Sequence, residues 1–255
     1  MKIGIIGAGA IGGTIAKKLA VAGHVVKIYS TQEFDKLKTR AHELGALPST
    51  LYDIVKDVDV VIISIPTAAI PSLPKELFAN ISEDVIVVDT SNYYPFRDGQ
   101  IEELNNGKVE SVWVSEQIGR PVIKAFNNLL AYSLEHGGKP EGAEGRIAMA
   151  ISGDDGKMKA VISNLINDTG FDVVDAGTLS ASWRHQPGTP AYCTELDRIE
   201  LNQALFEGVK ENAAYIRDSS IVTLMKRTTP PSHEEVVSLN RSLFPGNPKT
   251  NFGRL

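Results

Sequence analysis

The sequence predicts an α/β protein: a doubly wound, mostly parallel sheet with helices on both faces and a small helical C-terminal portion. Three observations predict it. Short β-branched apolar runs alternate with amphipathic stretches through the first half of the chain, the pattern of a parallel sheet covered on both sides. The glycine run Gly7-Ala8-Gly9-Ala10-Ile11-Gly12 directly follows the first of these strands. From Thr194 onward helical periodicity replaces the strand-like runs.

The elements follow in order. Lys2–Ile6, Val25–Tyr29, Val58–Ile65 and Val85–Asp89 read as strands, each followed by glycine, proline or small polar residues where a loop must turn. Between the first two, Ile11, Ile15, Leu19 and Ala22 recur at near-helical spacing, and Gly23 stands where a helix would stop. Val122–Ala125, Arg146–Ile151 and Phe171–Asp175 are expected to extend the same sheet, with a helix at Gly156–Asp168. Leu201, Leu205, Val209 and Ile216 form one stripe on a long helix expected to run to Met225. Thr228-Thr229-Pro230-Pro231 ends it, and Ser232 with Glu235 forms a capping box that opens a last short helix. Pro245–Leu255 is expected to be a loose extension. The expected division is a nucleotide-binding unit over 1–194 and a helical packing or dimerisation segment over 195–255.

Composition narrows the partners. The chain has 255 residues, 42% of them hydrophobic, and a net charge of -5, with no basic face to recommend nucleic acid or an anionic membrane. No apolar run approaches the roughly 20 residues of a membrane span, and Met1–Ile6 is too short for a secretory leader. Cys193 is the only cysteine, so no intrachain disulfide forms and a cytoplasmic location is the simplest expectation. Asp154-Asp155 and His233-Glu234-Glu235 lack the ligand spacing of a zinc site, and no metal is expected.

Gly7 through Gly12 fits G-x-G-x-x-G, and each glycine meets a separate demand. Gly7 permits the tight turn out of the strand, Gly9 lets the backbone approach a diphosphate, and Gly12 allows close packing of helix on strand. Free N–H groups and the helix dipole then face the anion. Strand, glycine loop, helix and strand within about 30 residues make the dinucleotide-binding Rossmann unit. An NAD site carries Asp or Glu at the end of the second strand; this chain has Ser30 and Thr31 there, with no acid until Glu33. The two hydroxyls can donate to a 2′-phosphate, which favours NADP, with NAD as the alternative.

Ligands of such sheets lie beyond the carboxyl ends of the strands. Ile65, Pro66 and Thr67 follow one strand, with Ile65 and Thr67 expected to face the cofactor. Thr90-Ser91-Asn92 offers hydroxyl groups and the Asn92 amide to the nicotinamide carboxamide or a ribose. Ala125 and Asn127 close the next strand, and small Ala125 would let a flat ring approach. Lys124 and His185, the latter ahead of Gln186-Pro187-Gly188, are the candidate proton donors if the substrate is a carbonyl compound. Tyr192 and Cys193 are expected to be core or loop. Lys210 and Asn212 are two residues apart and so lie on different helix faces.

Gly7–Gly12, Asp89-Thr90-Ser91-Asn92-Tyr93-Tyr94-Pro95, Val122–Asn127, Ser152-Gly153-Asp154-Asp155 and Asp175–Leu179 occur in an order that resembles the predicted dinucleotide-binding oxidoreductases similar to NADPH:coenzyme F420 oxidoreductases. The resemblance spans about residues 1 to 195. It implies a Rossmann domain, often dimeric, and hydride exchange between NADP(H) and a flat partner such as coenzyme F420 or a flavin. It places the phosphate-binding positions on Gly7 through Gly12 and the 2′-phosphate segment on Ser30 and Thr31. The chain departs where the family commonly carries Ser-Arg, having Thr31 in the second place, and again at Trp183–Gly188. Three functions stay open: an NAD(P)H-dependent reductase of a flat acceptor, a non-catalytic dinucleotide sensor, and a dehydrogenase of a small hydroxy acid. A small-molecule substrate and a homodimer are expected.

Overall fold

A computed structural model describes residues 1–244; the extension expected at Pro245–Leu255 lies outside the described residues. The chain opens with β1 (Lys2–Ile6), α1 (Ala10–Val21) and β2 (Val25–Tyr29), then α2 (Phe34–Glu43), a two-residue β3 (Leu47–Pro48) and β4 (Val60–Ile63). Short α3 (Glu76–Ala79) leads to β5 (Ile86–Asp89), and α4 (Pro95–Asp98), α5 (Glu102–Asn105) and α6 (Glu110–Ile118) lead to β6 (Ile123–Lys124). After α7 (Ala131–His136) come β7 (Ala148–Ile151), α8 (Gly156–Asp168) and β8 (Asp172–Asp175). Three helices end the described chain: α9 (Arg198–Glu207), α10 (Lys210–Met225) and α11 (His233–Ser242).

Six strands form one parallel sheet in the order β3-β2-β1-β4-β5-β6. Its continuous apolar runs are explained by two buried faces. Along β4, Val60 and Ile62 enter one core with Ile15, Leu19 and Ile162, while Val61 and Ile63 enter the other with Trp113 and Val114. Successive strand residues point to opposite faces, so a strand buried on both must be apolar throughout. Each fully buried isoleucine in such a strand contributes about 1.5–3 kcal/mol.

Register turns this sheet into a platform. Ile6 pairs with Tyr29 on one side and Ile63 on the other, Ile63 pairs with Asp89, and Asp89 with Lys124. The last residues of five strands therefore stand in one row. The loops beginning at Ser30, Gly7, Ser64, Thr90 and Ala125 emerge side by side at the carboxyl edge.

The later strands correct an expectation. β7 and β8 do not extend the sheet; they form their own parallel pair, tied to β6 by a single antiparallel bridge between Lys124 and Ser152. The edge of β7 away from β8 is already occupied. Ala148 N–H donates to the Leu196 carbonyl (2.8 Å) and Ala150 N–H to Asn128 Oδ1 (3.3 Å), leaving β6 no ladder to join. A third core of Ala150, Val174, Leu196, Leu201, Ala204 and Leu205 packs α9 onto this pair.

The long C-terminal helix is also corrected: it is two helices. Asp197 and Glu200 form a capping box that starts α9, and the chain leaves helical geometry at Gly208 and Val209. Leu201 and Leu205 are buried, but Val209 is 51% exposed and Ile216 belongs to the second helix. A side chain at Gly208 would press on the Trp183 ring (3.3 Å), so the break lies where glycine fits against that indole. Gly188, at φ 84°, lets the backbone of α10 approach; a Cβ there would stand 2.0 Å from the Ala213 carbonyl oxygen. The capping box of Ser232 and Glu235 opens α11 as the sequence implies. Among the described residues no helix is long and apolar enough to cross a membrane.

Candidate active site

A cavity of about 340 Å³ opens at the carboxyl edge beside the glycine loop. Gly9, Ala10 and Ile11 form one wall, and Ser64, Ile65 and Pro66 continue it from the end of β4. Thr90, Ser91 and Asn92 enter from β5, and Phe126 and Asn127 from β6. Tyr94, Arg97 and Tyr192 complete the far side with Leu129, Leu130 and Ala131.

The glycines differ in what they avoid. At Gly7, φ is 116° and a Cβ would lie 2.1 Å from the Ser64 carbonyl oxygen; at Gly12 it would lie 2.2 Å from that of Gly7. Those two positions are required by the fold. A Cβ on Gly9 would meet nothing within 4 Å, so the fold leaves this position free. The space over Gly9 is a cradle that a side chain would fill. No side chain caps α1, whose first-turn N–H groups are left for an anion. These features fit a dinucleotide diphosphate.

Ser30 and Thr31 lie beyond β2, outside the cavity lining, and Ser30 Oγ accepts only a long contact from Gln32 N–H (3.4 Å). Two expectations about orientation are corrected. Thr67 is fully buried at the start of a 3-10 turn and does not line the cavity. Ala125 turns into the core, and its neighbour Phe126, at φ 60°, supplies the ring that reaches the cavity. Asn92 and Asn127 hold each other. Asn92 Nδ2 donates to the Asn127 carbonyl and Asn127 Nδ2 to Asn92 Oδ1, both at 3.0 Å.

Lys124 and His185 are brought close to the cavity but behind its wall, and neither lines it. Both are 0% exposed. Lys124 Nζ donates to Asp89 Oδ2 (3.1 Å) and to the Ser91 carbonyl, while Ser111 Oγ donates to the same carboxylate (2.6 Å). Asp89 Oδ1 in turn accepts the Ser91 N–H (2.9 Å). The buried ion pair thus clamps the backbone of Ser91 from both sides. His185, expected on a loop reaching the cleft, closes a 3-10 helix instead. Asn127 Oδ1 accepts from its Nδ1 (2.8 Å), so Nε2 accepts from Ser152 Oγ (2.9 Å). Burial, then the Lys124 charge, pushes the imidazole down to about 3. It is neutral at physiological pH and has no proton to release as an imidazolium.

Two lining residues, Tyr94 and Arg97, have places that the sequence did not suggest, while Ser91 lines the cavity with its hydroxyl and Tyr192 reaches it instead of staying in core or loop. Ser91 is 5% exposed, and its Oγ has no hydrogen-bond partner among the described residues. A buried hydroxyl left open at a cavity is a group kept for a ligand or water. Tyr94 Oη donates to Tyr192 Oη (2.9 Å), and burial pushes both phenols up, so both stay protonated. Cys193 is buried, its thiol pushed up to about 12 chiefly by burial, which leaves it unreactive. Behind Tyr93, Glu110 is buried with Oε2 lacking a hydrogen-bond partner among the described residues; burial pushes its carboxyl up to about 7 against the pull of Lys124.

A parallel sheet in this order, a glycine cradle at its switch point and a cavity at the strand ends define an NAD(P)-binding Rossmann oxidoreductase. Comparison with known proteins narrows the class. Residues 2–93 match the family described as NADP oxidoreductase, coenzyme F420-dependent, and the chain belongs to that family. It is 36% identical over 110 residues to YjhV of Escherichia coli strain K12, covering 43% of this chain and 80% of that protein. The crystal structure of SMa0349 from Sinorhizobium meliloti is 30% identical and superposes with a TM-score of 0.67 over 77% of this chain and 95% of that one. An Arthrobacter sp. FB24 structure described as a candidate F420-dependent NADP reductase, 24% identical, shares the fold with a TM-score of 0.57 over 71% of this chain and 87% of its own.

Proposed function

We propose that this NAD(P)-dependent oxidoreductase takes NADPH and passes a hydride to a flat redox acceptor of the deazaflavin or flavin type, coenzyme F420 being the family's example. The observation that carries the reading is the cavity at the end of β5 and β6. Its aromatic and amide walls include no group that titrates near neutral pH among the described residues. NADPH, when bound, supplies the hydride, and the acceptor then takes one proton from water. Transfer between two stacked rings asks the protein for contact, orientation and exclusion of water. Phe126, Tyr94 and Tyr192 supply flat apolar surface, the interlocked Asn92 and Asn127 fix the floor, and Ser91 Oγ is available to a carboxamide or ring carbonyl.

Gly7 through Gly12 would carry the diphosphate, Ile65 and Pro66 the adjoining ribose, and Ser30 and Thr31 the 2′-phosphate. Support for NADP over NAD comes from the end of β2, where two hydroxyl residues precede the first acid, Glu33, an exposed residue at the start of α2. Titration with NADPH and NADH tests this. NADPH is expected to bind more tightly, and Ser30→Asp to reverse the order by placing a carboxylate against the phosphate; equal affinity in the parent would remove the preference. NADPH oxidation over a panel of flavins and deazaflavins then separates an enzyme from a non-catalytic sensor, which would bind without turnover. A hydroxy-acid dehydrogenase using Lys124 or His185 as proton donor is the weaker reading, because both lie behind the wall. The segment from residue 195 is proposed to serve packing and homodimerisation, since α10 leaves Tyr215, Val222 and Met225 exposed. Sedimentation tests it.

A further inference from the structure

Arg97 is the only charged residue among the described residues lining the cavity. Its guanidinium is held on one side. Nε donates to Asp98 Oδ1 (3.1 Å), and Nη2 donates to Asp98 Oδ2 (2.8 Å) and to the Asn92 carbonyl (2.6 Å). Asp98 is itself anchored, its side chain 0% exposed and its Oδ2 accepting the Tyr94 N–H (2.9 Å). The Tyr94 ring lies 5.4 Å from Cζ. Nη1 has no hydrogen-bond partner among the described residues, and the side chain as a whole is 42% exposed. Two N–H donors of a permanent cation are thus fixed at the cavity, the preorganisation that favours binding an oxyanion.

Sheet order indicates which oxyanion it is. The 2′-phosphate segment follows β2 and Arg97 follows β5, with β1 and β4 between them. At about 4.8 Å per strand the ends of β2 and β5 lie on the order of 14 Å apart along the edge. The cofactor diphosphate has its own seat at α1. We propose that Arg97 is a specificity-determining residue for the second substrate, its Nη1 donors receiving an oxyanion arm carried by that substrate's flat ring system. This rests on the reading of the cavity as the meeting place of two rings.

The test uses the full chain saturated with NADP⁺, titrated with FMN and with riboflavin, which differ by one phosphate, and read by flavin fluorescence. FMN is expected to bind at least about tenfold more tightly, as one charge-assisted hydrogen-bonded contact implies. In Arg97→Met that ratio should fall to roughly one, and Arg97→Lys, which keeps the charge without the fork, should give an intermediate ratio. A merely structural arginine would shift both flavins together and leave the ratio alone. NADP⁺ affinity should stay level across the three proteins. Equal affinity for the two flavins in the parent, binding of neither, an unchanged ratio in Arg97→Met, or a matching loss of NADP⁺ affinity would each overturn the proposal. Turnover is scored separately. FMN bound through Arg97 but never reduced by NADPH would sink the reductase reading and leave the anion site standing. Riboflavin bound and reduced as well as FMN would do the reverse.

Discussion

At the Gly7–Gly12 end of the cleft the chain offers backbone, whereas beyond β5 and β6 it offers side chains gathered from Ser91 to Tyr192. The first end needs little besides a strand, a helix start and the absence of Cβ atoms, all supplied within a dozen consecutive residues. The second is held by a buried network in which Asp89, Ser111 and Lys124 fix Ser91, and Asn127 bridges Asn92 to His185. Charge is spent inside the wall at the second end so that the surface facing the ligand can be neutral apart from Arg97. A backbone site tolerates change around it and fails at single glycines; a side-chain site depends on distant partners.

The largest effect expected at the second end comes from Lys124→Met. Removing one member of a buried ion pair leaves the Asp89 carboxylate uncompensated, and a stability loss of about 3–5 kcal/mol is expected in denaturant unfolding. Adding Asp89→Leu should recover much of it. Full stability with lost turnover would instead make Lys124 a participant in the reaction.

That burial explains how far the sequence could be read. The glycine loop, seven of the eight strands and helix Gly156–Asp168 follow from local pattern, because period, turn residues and caps lie within one element. Sequence distance from a strand end suggests sites for Thr67, Ala125 and Lys124, and the Gln186-Pro187-Gly188 loop that follows suggests one for His185. Which way each points is set by contacts across the fold, Ala125 against the core and His185 against Asn127 and Ser152. Arg97 sits two residues past the Asp89–Pro95 motif, and only Asp98 and Asn92 show why it belongs to the cleft. Separation of β7 and β8 from the main sheet likewise depends on Leu196 pairing from far along the chain.

A smaller effect is expected from Glu110, and it depends on pH. Its carboxyl, raised from 4.5 to about 7, contributes stability below pH 4.5 that is lost as pH rises toward 7. His185, depressed from 6.5 to about 3, contributes stability above pH 6.5 that is lost as pH falls toward 3. Between pH 4.5 and 6.5 the two slopes oppose, each at most about 1.4 kcal/mol per pH unit. Glu110→Gln should therefore make stability climb more steeply with pH across that window than in the parent. An unchanged profile in thermal melts would remove Glu110 from the network.

Smallest is Ser91→Ala. Because Ser91 Oγ has no partner among the described residues, melting temperature should hold while kcat/KM falls by roughly three- to tenfold, the worth of one hydrogen bond. A fall in stability without a change in kcat/KM would assign the hydroxyl to the fold.

On the proposed function, the amides beside Gly9 hold the cofactor's diphosphate in space the fold leaves open. Isothermal titration of Gly9→Val with NADPH, alongside its melting curve, tests this most directly. A parent-like melt is expected, since a Cβ there meets nothing within 4 Å, with an affinity lower by on the order of 100-fold, about 2.7 kcal/mol. Parent-like affinity in a folded Gly9→Val protein would contradict it.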